Sequence, residues 1–336
     1  MRSRCAVRRR DERSGRTVSA LRAQLAGLGL DRRVIGLALA FATALISGVA
    51  VFVNGYGVRR FDDATTYTTA KNAVAAVLLA VLAAAFFGGR SDANTKSWRP
   101  RSRLHWLGLF FVGAVGGSVP FVLFFEGLSR ASSAQAAFIH KTLVIWVALI
   151  AVLLLRERLS AFHVGAIGLL VAGQAVLIGN LGSLSLRTGE LMIFAATLLW
   201  AIEIVTVKKL LGTLASPPLA AARMGVGLVL LLSYLAITGR AGALLHLSGE
   251  QWSWALLTGL ILTGYVGTWY AALARAPAID VSAVLVLGAV VTALLNRGFR
   301  GAALEETALV LILIGAATIA WLAARPRRPE LTALSP

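Results

Sequence analysis

Residues 189–211 read GELMIFAATLLWAIEIVTVKKLL. Between Leu191 and Val207 a single ionisable side chain, Glu203, interrupts an otherwise apolar run. A helix crosses the hydrocarbon core of a bilayer with about 20 mostly apolar residues, so this run is long enough to span. A carboxylate inside it costs several kcal/mol unless it is paired or hydrated. Working outward, runs of the same kind fill most of the chain: 34–53, 68–88, 104–125, 131–155 and 161–179 before it, then 188–207 itself, 219–238, 252–273, 279–296 and 306–324. Composition agrees. Of 336 residues, 58% are hydrophobic and 14% charged, with mean hydropathy +0.78, whereas a soluble domain carries roughly 25% charged residues. The expectation is an all-α integral membrane protein of ten transmembrane helices, its first partner the lipid bilayer.

The formal charge of +18 would suggest nucleic acid in a soluble protein, but its distribution argues for membrane topology and no nucleic-acid partner. Ten arginines precede the first apolar run. Lys and Arg counted on alternating sides give 23 on the side of that basic segment and seven on the other. The bias places both termini in the cytoplasm. Residues 1–33 read as a disordered basic cytoplasmic tail and 325–336 as a cytoplasmic C-terminal tail. With Cys5 as the one cysteine and four scattered histidines, neither a disulfide framework nor a metal centre is expected. No Gly-x-x-x-x-Gly-Lys-Ser/Thr run occurs, so ATP is not expected to drive the protein directly, and no cofactor is implied.

Internal repetition is the next signal. Leu128–Ile150 laid on Leu273–Leu295 pairs Arg130 with Arg275 and Ala131 with Ala276. Gly36 onward laid on Gly189 onward pairs Phe41 with Phe194, and Gly173 falls on Gly315, three residues out of the earlier register. The matches keep their order, giving five spans plus five. Because five is odd, the second unit enters the membrane upside down relative to the first, an inverted-topology repeat. The units are bounded as 34–180 and 188–324.

The residues Leu154-Leu155-Arg156-Glu157-Arg158-Leu159, followed by Gly165, Gly168 and Gly173, and the stretch Gly189 to Leu211 with Leu199-Trp200 and Lys208-Lys209, resemble the drug/metabolite transporter superfamily, EamA type, over residues 34–324. The resemblance implies two EamA-like repeats, a multi-pass carrier of the bacterial inner membrane, alternating access, and a central cavity lined by both halves. Two departures stand out. Asn296–Gly301 lacks the acidic turn that Glu157 supplies in the first half, and His140-Lys141-Thr142 stands where relatives mostly carry small or apolar residues.

Ionisable groups well inside spans point to a translocation path. Glu203, His140 and Lys141 are expected to face one central cavity, Lys141 neutralising Glu203 or meeting an anionic group on a substrate. His140 or Glu203 could couple proton movement to transport. The plainer alternative is a structural Glu203–Lys141 ion pair with His140 as an interior donor. Lys71 and Arg223 occupy matching places in the two repeats; inward binding is one reading, but long basic side chains near span ends usually snorkel to the interface, and that is expected here. Trp200 shares the Glu203 face one turn away and could stack on an organic substrate. Tyr270 joins the substrate-binding set, while Trp252, Trp254 and Trp269 read as interfacial anchors. Glu126 and Arg130, spaced i, i+4, should pair locally, and Asp280 follows Pro277 where a carboxylate suits a helix N-terminus.

These features favour a secondary transporter of small organic metabolites or drugs, an exporter or exchanger, as monomer or homodimer, with no catalytic residues. An integral-membrane enzyme or flippase acting on lipid-linked substrates is the alternative; as an enzyme it would need a cluster of Asp, His or Glu at the interface.

Overall fold

The structure is a computed structural model that describes residues 32–87, 100, 102–128, 130–131, 133–178, 187–303 and 305–324. The expected tails lie almost wholly outside the described residues. Helices form wherever the apolar runs were found: α1 (Arg32–Gly57), α2 (Ala64–Phe87), α3 (Arg103–Gly117), α4 (Val119–Leu128), α5 (Ser133–Lys141), α6 (Leu143–Leu155) and α7 (Ala161–Ile178). The second half contributes α8 (Thr188–Leu210), α9 (Ser216–Ile237), α10 (Gly249–Leu273), α11 (Ala278–Leu285), α12 (Gly288–Arg300) and α13 (Glu306–Ala324). Eight helical stretches are long and apolar enough to cross a membrane; Ala161–Leu177 and Glu306–Leu322 are shorter apolar helices. Backbone amides in hydrocarbon have no water to bond, which is why such runs close their hydrogen bonds within one helix.

Three of the expected spans are interrupted. The run 104–125 breaks at Ser118 between α3 and α4. Pro120 causes the break, because a proline has no N–H to give the carbonyl four residues back, at Gly116, and its ring crowds that carbonyl. The runs 131–155 and 279–296 divide at Thr142 and at Val286-Leu287.

The contacts sort the helix termini into two ends of the bundle. At one end Arg33 of α1 meets Asp280 of α11, Glu157 reaches the start of α11, and Lys208 of α8 reaches the last carbonyls around α10. At the other, Arg240 bridges Asp63 before α2 and Glu126 of α4, and the Gln251 amide donates to the Arg60 carbonyl at 3.0 Å.

Packing between the halves is reciprocal. A Cβ built on Gly36 would meet Ala276 and Arg275, and one built on Gly189 would meet Arg130, the residue that aligns with Arg275. Likewise Gly173 abuts Ala308 and Ile312 of α13, while Gly315 abuts Ala166 and Leu170 of α7. The α6 and α12 helices end alike. Arg156 (φ 55°) and Gly301 (φ 65°) are both left-handed, and the following amides of Glu157 and Ala302 bond back six residues, to Ala151 and Asn296. An arginine in this region pays a steric penalty that a glycine does not.

Candidate functional site

Glu203 and Trp200 lie one turn apart on α8, the helix whose buried face is packed by both halves. The break in α3–α4 bears directly on Trp200: its indole N–H donates to the Gly116 carbonyl at 3.3 Å, the acceptor that Pro120 left without its helical partner. Satisfying that carbonyl fixes the indole beside the first turns of α4, where Phe121 and Phe124 meet it with ring centroids 5.4 and 5.7 Å away. His140 packs edge-on to the same indole at 4.9 Å. The result is an aromatic wall built from α4, α5 and α8.

A cavity of about 420 Å³ lies against this wall. Its lining draws on both halves: Asn54 of α1, Lys71 of α2, Phe125 of α4, His140 and Lys141 of α5, Glu203 of α8, Arg223 of α9, and Tyr265 and Trp269 of α10. Six of the seven sequence-derived candidates therefore line one space: Glu203, Lys141, His140, Trp200, Lys71 and Arg223. Tyr270 stands behind it, donating its hydroxyl to Glu203 Oε1 at 2.5 Å.

The structure corrects three expectations. Glu203 is partnered by Arg223, not by Lys141: Arg223 Nε lies 3.4 Å from Glu203 Oε1, close enough for charge pairing although no hydrogen bond is formed by that nitrogen. Arg223 and Lys71 do not snorkel. Each is 6% exposed, because the early turns of α2 and α9 are enclosed by neighbouring helices rather than facing lipid; residues 65–72 are buried without exception. Lys71 Nζ donates to Asn54 Oδ1 at 3.0 Å and stands 4.9 Å above the Tyr67 ring and 5.3 Å above the Phe125 ring. Trp269, expected at an interface, is 3% exposed and stacks with Tyr265; Trp252 is exposed.

Residue-by-residue reading of the sequence passed over Asn54, Phe121, Phe124, Phe125 and Tyr265, and took Trp269 for an interfacial anchor. Only the phenylalanines carried a signal, three aromatics on adjacent turns immediately after a proline. Glu126 and Arg130 do pair, at 3.0 Å.

The two ends of the bundle are held differently. Glu157 accepts from the Ala278 and Ile279 amides at 2.8 and 3.0 Å, capping the exposed amides of α11 from the opposite half. Asp280, 1% exposed, lies 2.6 Å from Arg33 and 3.3 Å from the His163 ring. Lys208 donates to the Leu273 and Ala276 carbonyls, both at 2.6 Å, where a cation suits a helix C-terminus. These contacts tie together the helix termini at this end, the floor of the bundle. At the far end Asp63 takes hydrogen bonds from Thr66 and Thr65 and faces Arg240. Burial works to raise the Asp63 pKa, but these bonds and the arginine outweigh it and hold it below its ordinary value.

The comparisons follow from this architecture. No curated protein matches the chain. A solved structure titled only "Crystal structure of protein" superposes with a TM-score of 0.68 at 18% identity, covering 86% of this chain and 97% of that one, which establishes a shared fold. The EamA-like transporter family matches twice, over residues 34–179 and 187–324, so the two halves are two copies of one repeat and the chain belongs to the EamA-like transporter family.

Proposed function

We propose that this protein is a secondary transporter that moves small organic metabolites or drugs across the bacterial inner membrane by alternating access, working as an exporter or exchanger. One observation carries the reading: a cavity is lined by buried ionisable groups from both repeats, while ion pairs and helix-cap bonds tie the helix termini at one end of the bundle. Charges are tolerated at that depth when they face partners or a wet path, and solute handling gives them a use. Eight candidate spans and two shorter apolar helices are compatible with ten traverses, and the reciprocal glycine contacts support an inverted relation of the repeats. The bias of 23 Lys and Arg to seven, with Arg33, Arg156, Arg158 and Lys208 on the richer side, supports a cytoplasmic floor and an outward-facing cavity.

Glu203, Lys141, His140, Trp200, Lys71 and Arg223 are the substrate-handling set, with Tyr270 holding Glu203. The test is counterflow in proteoliposomes. Glu203→Gln and Lys141→Ala should each lower saturable exchange by about tenfold or more while protein inserts at parental levels. Undiminished exchange in both variants would remove these residues from the path. Conversion of the solute to a new chemical species would favour the enzyme alternative.

A further inference from the structure

The cavity is oversupplied with positive charge and with N–H donors. Three cationic side chains line it, Lys71, Lys141 and Arg223, against one carboxylate, Glu203. That carboxylate is already engaged, by the Tyr270 hydroxyl and by Arg223. Arg223 Nη1 is buried and has no hydrogen-bond partner. Lys71 gives one of its three N–H groups to Asn54 Oδ1, a neutral acceptor. Among the described residues Lys141 has no carboxylate within ion-pair distance, and none approaches Lys71. A cation withdrawn from water without a counter-charge is unfavourable, so a site that keeps Lys71 buried and Lys141 half-buried in that state is arranged for a charge that arrives with the ligand.

The apolar surface says what the rest of that ligand is. The Lys71 ammonium stands over the Phe125 ring, and Phe125 is edge-on to Phe124 at 5.5 Å, which in turn contacts Trp200. Lys71 and the aromatic wall are therefore contiguous, and Lys141 and Arg223 line the same cavity. A flat apolar body on the wall would place an acid group within reach of the cations, and the cavity has the size of a small-molecule site.

We propose that the cavity selects organic anions with an aromatic body, the acid group being met by Lys71, Lys141 and Arg223 and the ring by Trp200 and Phe124. This rests on the transporter reading above for its site, and the experiment separates the two. Purified protein in lipid nanodiscs is titrated with a series sharing one ring system: 2-naphthoate, 2-naphthylmethanol and 2-naphthylmethylamine. Naphthoate should bind about tenfold or more tighter than the alcohol, with the ammonium compound weakest. The Lys71→Gln/Lys141→Gln double variant should bind naphthoate no better than the alcohol. Lys141→Arg, which keeps the charge, should retain most of the preference and shows that the pocket survives substitution. Equal or tighter binding of the alcohol or the amine to the parent protein, or a preference for naphthoate that persists in the double variant, overturns the proposal. Proteoliposome exchange with the same probes tests the carrier reading separately. Saturable exchange of the amine instead of the acid keeps the carrier and rejects anion selection, whereas tight naphthoate binding without exchange keeps the anion site and rejects the carrier.

Discussion

At the scale of single residues, the site depends on groups that satisfy one another across helices. Trp200 is the clearest case, because its N–H answers the carbonyl that Pro120 strands. Trp200→Phe keeps an aromatic ring but removes the donor and part of the buried ring bulk, leaving Gly116 O unmet. The expected loss is about 1–3 kcal/mol, read as a lower unfolding temperature in detergent; an unchanged transition would mean that the bond contributes nothing. None of this pairing was available from spacing along the chain. The sequence placed Glu203 on an apolar helix, which marked it as functional or paired, but a one-dimensional pattern carries no distance between helices, so the reading named Lys141 as its partner and sent Arg223 to the interface. The snorkelling expectation for Lys71 failed for a related reason. It assumes a lipid-facing surface, and α2 near Lys71 is enclosed by α9 and α10.

At the scale of elements, the two halves differ where it matters for gating. Glu157 follows the left-handed cap of α6 and seals the start of α11. The equivalent position after α12 is Ala302, which has no carboxylate to give. In the proposed carrier, that asymmetry would make the floor the more tightly held end. Glu157→Ala should weaken the cap by roughly 0.5–2 kcal/mol. In a Cys5→Ser background, a cysteine at Ala276, buried at the floor, should then react with a water-soluble maleimide up to about tenfold faster than with Glu157 intact; an equal rate would show that the cap does not hold the floor shut. At the opposite end the Asp63–Arg240 clasp has a pH signature. The folded-state pKa of Asp63 lies below its unfolded value of 3.8, so its contribution is complete above that value and disappears as pH falls through the folded-state pKa. The unfolding-temperature gap between parent and Asp63→Asn should accordingly be open at about pH 7 and narrow as the pH falls below 3.8; a gap that widened in acid would reverse the assignment. The departure at Asn296–Gly301 was visible in the sequence, since a missing carboxylate is a matter of composition. Its consequence was not, because that depends on which helix start lies opposite.

At the scale of the whole molecule, the apolar runs located the helices because hydrocarbon leaves the backbone no alternative, and the alignments Gly36 with Gly189 and Arg130 with Arg275 reappear as reciprocal contacts between the halves. The broken helices were less legible, since Thr142 and Val286-Leu287 have no helix-breaking residue to announce them, although Pro120 did announce the third. The central claim is that one cavity, walled by both repeats, is exposed to the two faces of the membrane in turn. Ala50 lines that cavity and stands outside the charged set, so in a Cys5→Ser background Ala50→Cys reports access directly. An impermeant maleimide is applied from each face of oriented vesicles, at rest and during exchange. The account predicts labelling from the outer face at rest and from both faces during turnover. Labelling confined to one face while exchange proceeds, or absent from both, would contradict it.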